Sequence, residues 1–391
     1  MYALENIRVC NLGAYIAGGL CGALLADMGA DVVKVETLTG DPFRQMASAF
    51  LAYNHGEKSI AVNLTQKEGR QVVYKLAERS DVFSENFRPG ISEKLGVDYE
   101  SIRKVKPNII YVSILGHGST GPYRTWPGFD PLLQARGGIM AGQGGKGNQP
   151  VYQRIAVSDY AAAMLGAYGA MLALYVRNRT GQGQHVETSL TNGVISIQSG
   201  EFLDYEGIPR KERGGVDIKG KSATCRLYRA KDDWLFVLCD KAAHWRQLCK
   251  VLGLENLMEG PRFKTDKARQ TNDAALAAIL ESTFAKKPAA AWLKELEDAG
   301  VPCAPQMTLE GMASDPHYNA NDLICAHQHP IHGRVTELAL AAKLHDTPGK
   351  VFRPALLLGE YTDEVLAELG YTPQEIADLK ARRIVAGHNR D

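Results

Sequence analysis

Short apolar runs and longer periodic segments alternate along the first half of the chain, and this pattern predicts strands separated by helices. The runs at residues 7–12, 31–36 and 109–115 have the length and composition of buried strands. Residues 14–28, between the first two runs, are small and apolar and are predicted to form a helix. This β-α-β order is typical of an α/β protein with a parallel sheet.

The segment 151–190 has the clearest pattern in the chain. A short apolar run ends at Val157, an Ala-rich segment without proline covers residues 160–179, and residues 185–190 alternate as a strand does. A glycine-containing turn separates the last two. We interpret the segment as strand, sharp junction, buried helix, glycine stop and strand, so Asp159 is expected where a strand passes into a helix N-terminus.

The position of Asp159 supports two interpretations. Asp is a favoured N-cap residue, because its side-chain oxygens accept the free amide protons of the first helical turn. The same position, at the open end of a parallel sheet, is where α/β proteins bind ligands, and a carboxylate can act as a covalent nucleophile. Asp130 is a second candidate cap, for a helix predicted at residues 130–136.

The pattern changes after Ser199. Residues 200–222 are polar and contain glycine, with a charged run at 210–213, and they are predicted to form a linker. Residues 223–239 have the pattern of a β-hairpin. Helical patterns follow, at residues 244–252, 274–284 and 289–299. Together they predict a smaller α+β domain over residues 223–320.

Composition and charge exclude several classes of protein. The formal net charge is +1, which gives no electrostatic basis for binding nucleic acid or an anionic membrane. No uninterrupted apolar run reaches the about 18 residues of a spanning helix, and the first residues lack the pattern of a signal peptide. The seven cysteines are scattered without a CxxC pair, which favours reduced thiols and a cytoplasmic location.

The glycines after the first strand do not predict a nucleotide fingerprint. Gly13, Gly18, Gly19 and Gly22 do not form GxGxxG, although Glu36 stands where an NAD-binding domain places its ribose ligand. We therefore expect no nicotinamide cofactor. The glycines are expected instead to allow close packing of helix on sheet.

Other polar residues suggest further chemistry. Asn86, Arg88 and Lys94 supply hydrogen-bond donors near a predicted sheet end, and Arg and Lys side chains suit phosphate. The run HQHPIH at residues 327–332 holds three histidines, but no recognised spacing of Cys or carboxylate ligands completes a metal site. These histidines are expected to be exposed loop residues, and no metal is expected.

Several motifs, taken together and in this order, resemble the family III CoA-transferases, a group that includes formyl-CoA transferase and carnitine-CoA transferase. The resemblance covers essentially the full chain. The motifs are ADMGADVVKVE at 26–36, ENFRPG at 85–90, SDYAAA at 158–163, RTGQGQHVETSL at 179–190 and LLGEYTDEVLAELG at 357–370.

The resemblance implies a fold, an assembly and an activity. A Rossmann-like large domain would form from both chain ends, residues 1–199 and 321–391, with the smaller α+β domain inserted and two subunits interlocked as a homodimer. The reaction would move CoA from an acyl-CoA donor to a free carboxylic acid, through aspartyl-anhydride and aspartyl-CoA thioester intermediates. CoA would be a substrate, and no permanently bound cofactor would be needed.

The resemblance also implies site residues. The catalytic aspartate of the family matches Asp159, and a helix N-terminus would lower the pKa of this nucleophile, because it favours an anion. The positions that match CoA-contacting residues are Ile16, Ala17, Asn86, Phe87, Arg88 and Lys94.

Differences from the family pattern narrow the range of candidate substrates. Ile16 and Thr37 stand where formyl-CoA transferase has Gln and Arg, and its glycine-rich lid has no counterpart near Gly214. These differences argue against formyl-CoA and oxalate and leave carnitine-like, succinate-like and aromatic acids open.

Two alternative functions share the fold. The α-methylacyl-CoA racemases have an aspartate at the Asp159 position but also need a histidine, where this chain has Phe129. Moving a proton between opposite faces requires two titratable groups, and Phe is not one. A non-catalytic CoA-binding subunit would be expected to lack the aspartate that this chain has.

Overall fold

The computed structural model describes residues 1–203, 205–207, 214–215, 217–340 and 342–388. The charged run at 210–213 that contributed to the linker prediction lies outside the described residues. The chain divides into two compact units, and each is discontinuous in sequence. The first unit comprises Met1–Met140, Tyr152–Ile208 and Pro316–Asp391, and the second comprises Ala141–Val151 and Pro209–Asp315. The domain boundaries expected from sequence, after residues 199, 222 and 320, stay predictions.

The first unit is built on a parallel sheet. Among the described residues its seven strands are β1 Arg8–Asn11, β2 Asp31–Glu36, β3 Lys58–Val62, β4 Val82–Glu85, β5 Ile110–Leu115, β6 Gln184–Ser189 and β13 Val385–Ala386. Their order in the sheet is β13-β3-β2-β1-β4-β5-β6, with only β13 antiparallel to its neighbour. The strands predicted at 7–12, 31–36, 109–115 and 185–190 are therefore confirmed as elements, with ends that differ by one or two residues.

Helices cover both faces of this sheet, because alternate residues of each strand are apolar on opposite sides. Val9 and Val32 belong to one core, whereas Cys10 and Val33 belong to the other. The helices that lie wholly in the first unit are α1 Tyr15–Asp27, α2 Ala47–Tyr53, α3 Lys67–Glu78, α4 Ile91–Leu95, α5 Tyr99–Val105, α6 Asp130–Arg136, α8 Val157–Thr180, α9 Leu190–Ile197, α10 Ser199–Phe202, α17 Pro316–Ala320, α18 Thr362–Glu368 and α19 Pro373–Ala381, with a 3₁₀ helix at Pro42–Gln45. Helix α7, Ile139–Gly144, begins in the first unit and ends in the second.

The strand order creates a ligand-binding position at one edge of the sheet. Successive strands run outward from β1 to β3 on one side and from β4 to β6 on the other. The order therefore reverses between β1 and β4, and open α/β sheets bind ligands in the crevice outside the carboxyl ends of the strands at this point. The loops that follow β1 and β4 meet there.

Glycine allows α1 to approach that crevice closely. A Cβ atom on Gly18 would lie 2.5 Å from the Cα atom of Gly13 and 2.9 Å from the Cγ atom of Asn86. One turn later, a Cβ atom on Gly22 would lie 1.9 Å from the Oε1 atom of Glu57. The expectation that these glycines serve close packing is confirmed.

The second unit contains an antiparallel sheet with the order β10-β9-β8-β7. Its strands are β7 Gly220–Ser222, β8 Cys225–Arg229, β9 Trp234–Leu238 and β10 Cys303–Pro305, and its helices are α11 Ala242–Leu252, α12 Asn256–Glu259, α13 Asp266–Thr271, α14 Asp273–Phe284, α15 Ala289–Asp298 and α16 Leu309–Ser314. The predicted hairpin and three predicted helices are present. β7 lies within the segment that was predicted to be a linker. It forms a strand there by pairing with β8.

A two-stranded antiparallel hairpin, β11 Ile324–His329 and β12 Gly333–Leu338, precedes the C-terminal helices of the first unit. It contains the histidines that were expected to be exposed loop residues. That expectation is wrong for His329, which is buried at the end of β11, with its Nε2 atom 3.1 Å from the carbonyl oxygen of Ala355. The expectation is also wrong for His327, which is partly buried on the same strand, and it is confirmed for His332, which is exposed in the turn.

One helix of the described residues, α8, has the length and mean hydropathy that would suit a membrane span. Its small residues, including Ala163, Gly166 and Ala170, are nevertheless buried against α1 and the sheet. A Cβ atom on Gly166 would lie 2.8 Å from the Cδ1 atom of Ile114 in β5. One face of α8 therefore packs as a core helix does.

Candidate active site

The loop after β4 holds the loop after β1. The Nδ2 atom of Asn86 donates to the carbonyl oxygen of Ala14 at 2.8 Å, and its Oδ1 atom accepts from the Ala14 amide at 2.8 Å. The oxygen and the nitrogen of the Asn86 side-chain amide thus both form hydrogen bonds to the backbone of Ala14, the residue that precedes α1. Asn86 positions the N-terminus of α1 at the reversal point of the sheet.

A buried ion pair holds the same loop from the side of β2. Lys34, on β2, donates from its Nζ atom to the carbonyl oxygen of Gly13 at 2.6 Å and lies 3.1 Å from the Oδ2 atom of Asp41. The Oδ1 atom of Asp41 accepts from the amide of Phe43 at 2.9 Å and lies 3.5 Å from the amide nitrogen of Tyr15. The loop is therefore fixed on two sides.

Tyr15 has a strained backbone at this position. Its φ angle is 58°, in the left-handed region that bulky residues rarely adopt, although it is the first residue of α1. Such strain is concentrated at functional sites, where the surrounding structure enforces it. Here the Asn86 and Asp41 contacts on either side of the Ala14–Tyr15 peptide provide that enforcement.

A row of aromatic side chains extends from Phe129, past Tyr15, to the start of α8. We call it the aromatic row; adjacent ring centroids are 5.4 to 6.3 Å apart, and its members are Phe129, Tyr15, Phe43, Tyr53 and Tyr160. The hydroxyl oxygens of Tyr53 and Tyr160 are 3.0 Å apart. The sequence analysis missed four of these residues, and the signal that could have found Tyr160 is its place beside Asp159 in SDYAAA.

The residues proposed to contact CoA differ in what they expose. Ala17 is 2% exposed and belongs to the core beneath α1, while Ile16 is partly buried. Phe87 is also partly buried and packs against the opposite core. Arg88 and Lys94 are exposed, and in the described part of the chain neither side chain forms an ion pair. Their charges are available to a ligand.

The chain before Asp159 is not a strand, so that part of the prediction is wrong. Residues 151–156 are irregular, and α8 begins at Val157. The Nε2 atom of Gln134 donates to the carbonyl oxygens of Gln153 at 3.1 Å and Ile155 at 3.2 Å, and its Oε1 atom accepts from the Gln153 amide at 3.3 Å. One side chain therefore supplies bonds that a neighbouring strand would have made.

Asp159 is not the cap of α8 either. It is the third residue of the helix, and the capping oxygen comes from Asp130, whose Oδ1 atom accepts from the Ser158 amide at 2.9 Å and from the Ser158 hydroxyl. Asp130 was expected to cap its own helix, but it is the first residue of α6 and its side chain reaches α8 instead. The Oδ2 atom of Asp130 accepts from the Nε2 atom of Gln134 at 2.5 Å.

The Asp159 carboxyl is partly buried, and we find no hydrogen-bond partner for it among the described residues. Burial and, to a smaller extent, the nearby Asp130 carboxylate together raise the pKa of Asp159 to about 7. The expectation of a lowered pKa is wrong, because burial and a like charge outweigh the favourable end of the helix dipole. Asp159 therefore titrates near neutral pH.

Glu36 is not available to bind a ribose. Its carboxylate accepts from the Arg44 guanidinium at 2.6 and 2.7 Å and from the Ser59 hydroxyl at 2.6 Å. Although burial alone would raise it, these hydrogen bonds and the Lys34 charge hold the pKa of Glu36 below its usual value. The carboxylate belongs to the internal framework of the sheet.

This geometry combines a carboxylate of raised pKa, a helix N-terminus at the sheet reversal and two exposed cations. The family description "CoA-transferase family III" matches residues 4–362. The chain belongs to CoA-transferase family III. The membership confirms the resemblance found in the sequence motifs, and it makes this family III chain an enzyme.

Two relatives and one solved structure show the extent of the similarity. The family III chain is 33% identical to the succinyl-CoA–D-citramalate CoA-transferase of Chloroflexus aurantiacus, over 98% of each protein. It is 32% identical to the succinyl-CoA:glutarate CoA-transferase of Mus musculus, over 99% of this chain and 91% of that protein. A CAIB/BAIF family protein from Brucella suis shares its fold, with a TM-score of 0.86, 31% identity, and coverage of 94% of this chain and 99% of that one.

Proposed function

We propose that this family III enzyme transfers CoA from an acyl-CoA donor to a free carboxylic acid, with Asp159 as the covalent nucleophile. The observation that carries the proposal is the Asp159 carboxyl itself, which lacks a hydrogen-bond partner among the described residues while its neighbour Asp130 caps the helix. A carboxyl that had only a capping role would be bonded to the helix amides. Asp159 is instead left available to a substrate.

The proposed reaction consists of four displacements. The Asp159 carboxylate attacks the carbonyl carbon of the donor thioester, the C–S bond breaks, and CoA thiolate leaves behind a mixed anhydride. The thiolate then attacks the aspartyl carbonyl carbon, the anhydride C–O bond breaks, and the donor acid departs as its carboxylate. An aspartyl-CoA thioester remains. The covalent relay divides one difficult exchange into smaller steps.

The acceptor repeats these displacements in reverse. Its carboxylate attacks the aspartyl thioester and expels CoA thiolate, giving a second mixed anhydride. The thiolate attacks the acceptor's carbonyl carbon, which produces the new acyl-CoA and restores the Asp159 carboxylate. No electrons are gained or lost, and no proton needs to be stored between the steps.

The aromatic row offers a donor for the charge that develops on the carbonyl oxygens. The amides of Ser158 and Tyr160 already donate to Asp130 and to the carbonyl oxygen of Ala156, so they do not serve this purpose. The paired hydroxyls of Tyr53 and Tyr160 hold two protons but need only one for the bond between them. We propose that the second proton stabilises the oxyanion.

The pKa of Asp159 sets an expected pH dependence. Only the carboxylate is nucleophilic, so kcat/KM should rise with pH through a midpoint near 7 as Asp159 loses its proton. Asp130→Asn should move this midpoint to lower pH, because one anion is removed, yet keep it above that of an ordinary Asp, because burial remains. A pH–rate profile of both proteins measures the midpoints. The same midpoint in both would contradict the coupling.

We propose that CoA binds at the sheet reversal, with its phosphates near Arg88 and Lys94 and its thiol end near Ile16 and Asp159. Lys94→Ala should raise the Kd for acyl-CoA about tenfold, since a hydrogen bond to a charged group contributes on the order of 1.5 kcal/mol. Lys104→Ala, another exposed lysine on the neighbouring α5, is the matched control and should bind normally. Isothermal titration calorimetry measures both. Protection from thermal unfolding by NAD rather than CoA would overturn the assignment.

The relatives suggest which acids to try first. The two curated relatives above are named for succinyl-CoA with D-citramalate or glutarate, and each of these acids has two carboxyl groups. We propose a succinyl-type donor and a dicarboxylic acceptor for this enzyme. Mass spectrometry of reactions with a panel of acyl-CoAs and acids tests the choice, and exclusive transfer to monocarboxylic acids would contradict it.

A racemase of the same fold would behave differently in heavy water. The Phe129 ring, which is 45% exposed, packs edge-on against Tyr15 and supplies no titratable group for the second face of an α-carbon. His117 lies in the same β5–α6 loop as Phe129, and not in a different loop as expected, and its Nε2 atom is 3.3 Å from the carbonyl oxygen of Pro127. We therefore expect no measurable deuterium uptake at the α-carbon of a 2-methylacyl-CoA, by mass spectrometry. Rapid uptake would favour the racemase.

We also propose that the enzyme is a homodimer of interlocked subunits. α8 carries exposed apolar side chains at helical spacing: Met164, Tyr168, Met171, Leu172, Tyr175 and Val176. Large exposed apolar patches on a soluble chain mark interaction surfaces, and this one supports a partner subunit. Multi-angle light scattering measures the mass, and a stable monomer at low concentration would contradict the proposal.

A cytoplasmic location completes the proposal. All seven cysteines are free thiols in the structure, and disulfide-free cysteines are the rule in reducing compartments.

A further inference from the structure

The hairpin β11–β12 gathers three potential metal ligands on one face. Cys325 pairs directly across the hairpin with Glu337, and His327 is two residues further along β11, so all three side chains lie on the same side. The Sγ atom of Cys325 is 3.4 Å from the Nε2 atom of His327, which is 3.6 Å from the Oε1 atom of Glu337. One ligand atom from each residue lies within 4.8 Å of the other two.

His55 approaches this cluster from the segment between α2 and β3. Its Nδ1 atom is 3.6 Å from the Oε2 atom of Glu337, and its Nε2 atom is 3.2 and 3.3 Å from the two carboxylate oxygens of Asp27. The side chains of His55 and Glu337 are each 8% exposed. His55 therefore connects the C-terminal end of α1 to the hairpin.

Three buried atoms of His55, Glu337 and Asp27 have no hydrogen-bond partner among the described residues: Nδ1 of His55, Oε1 of Glu337 and Oδ1 of Asp27. If the Nε2–H of His55 donates to Asp27, the Nδ1 lone pair faces a carboxylate oxygen. Two acceptors cannot bond to one another, and unsatisfied buried polar atoms are costly. Nδ1 faces the Oε2 atom of Glu337 whereas the unpartnered oxygen is Oε1, and a cation bound by His55 Nδ1 and by the Glu337 carboxylate would satisfy both unpartnered atoms.

We propose that Cys325, His327, Glu337 and His55 bind a structural Zn²⁺ ion, with Asp27 holding His55 in the ligating orientation. Zinc prefers four such N, S and O ligands at about 2.0–2.3 Å, and a tetrahedron with those bonds has ligand-to-ligand edges of about 3.3–3.8 Å. The separations of 3.4 Å from Cys325 Sγ to His327 Nε2 and of 3.6 Å from His327 Nε2 to Glu337 Oε1 lie in that range, and His55 Nδ1 approaches the other Glu337 oxygen, Oε2, at 3.6 Å. A carboxylate behind a ligating histidine is the usual support at zinc sites.

The site is separate from the proposed catalytic centre. Asp27 ends α1, whereas Tyr15 begins it beside the sheet reversal, so the 13 residues of the helix put about 18 Å between the two sites. Four protein ligands also leave no open position for a substrate, as in structural zinc sites. The ion would fasten a two-stranded hairpin, which is marginal in isolation, to the N-terminal part of the sheet.

Cobalt substitution tests the proposal directly. Chelator-treated full-length enzyme should bind one equivalent of Co²⁺ and show a thiolate charge-transfer band together with the intense visible bands of tetrahedral cobalt, and Zn²⁺ should displace both. Cys325→Ser should lose the charge-transfer band, and Glu337→Gln should lose tight binding. His332→Gln, an exposed histidine of the same hairpin, is the matched control and should bind as the wild type does.

The supporting carboxylate provides a second, graded test. Asp27→Asn should keep the cobalt spectrum but weaken the metal affinity by about 10–100-fold, as changes behind a ligand do. If a ligand variant does not fold, alkylation of the wild type replaces it: Zn²⁺ should protect Cys325 from labelling and leave Cys225, one of the other half-buried cysteines, unprotected.

Either of two results would overturn the proposal. The first is a wild-type enzyme that takes up neither Co²⁺ nor Zn²⁺, in which case a shared proton joins His55 to Glu337. The second is that the enzyme binds one equivalent of Co²⁺ with a spectrum and an affinity that are unchanged in Cys325→Ser and Glu337→Gln.

Discussion

Asp159→Asn should abolish CoA transfer, with a loss on the order of 10⁴-fold or more, because an amide cannot form the anhydride. The substitution keeps the size and planarity of the side chain. It also leaves the start of α8 intact, since Asp130 caps that helix through the Ser158 amide. Thermal unfolding and acyl-CoA affinity should therefore stay close to wild type, while the rate of exchange between two acids falls.

Intact-protein mass spectrometry checks the covalent step independently of the rate. Wild-type enzyme mixed with an acyl-CoA should accumulate an adduct of the mass of CoA less one water, the thioester at Asp159, and Asp159→Asn should show none. Transfer by the Asn variant at near the wild-type rate would make the covalent mechanism untenable. An adduct on another residue would move the nucleophile elsewhere.

The elements that the sequence predicted correctly are those whose signals are local. The strands β1, β2 and β5 are short apolar runs, and α1 is a compact apolar segment between two of them. The hairpin in the second unit shows its turn and its alternation within 15 residues. Such patterns reflect the burial that each element requires in any arrangement of the fold. The elements that they predict are therefore present in the structure.

The errors arose where a distant residue replaced a local partner. The run before Val157 has the composition of a strand, but Gln134, from α6, satisfies its backbone. Asp159 has the position of a cap, but Asp130 performs that role. No local pattern indicates either substitution, because both depend on how α6 lies against α8.

The same reasoning applies to the pKa of Asp159 and to the cluster of potential metal ligands on the β11–β12 hairpin. The helix terminus at Asp159 is visible in the sequence, whereas the burial and the Asp130 charge that raise its pKa to about 7 are not. Likewise Cys325 and Glu337 are 12 positions apart, and only the register of β11 with β12 places them opposite each other. A search for ligand spacing along the chain therefore missed them.

Lys34→Met should produce the largest loss of stability among single changes near the site, about 3–5 kcal/mol, because it leaves a buried carboxylate without its cation. The side chains of Lys34 and Asp41 are 2% and 1% exposed, so water cannot replace the lost partner. The change also removes the bond to the Gly13 carbonyl oxygen, which anchors the loop before α1. Thermal and urea unfolding measure the loss.

The pair Lys34→Met and Asp41→Leu separates the cost of the unpaired charge from the cost of lost packing. If the isolated Asp41 carboxylate causes the instability, the double variant should be more stable than Lys34→Met alone, since removing both charges removes the desolvation penalty. It should still bind acyl-CoA more weakly than wild type, because Asp41 also holds the Phe43 amide beside the strained Tyr15. A double variant that is less stable than either single variant would show that the pair stabilises the fold through its hydrogen bonds to the loop, and not by neutralising a buried charge.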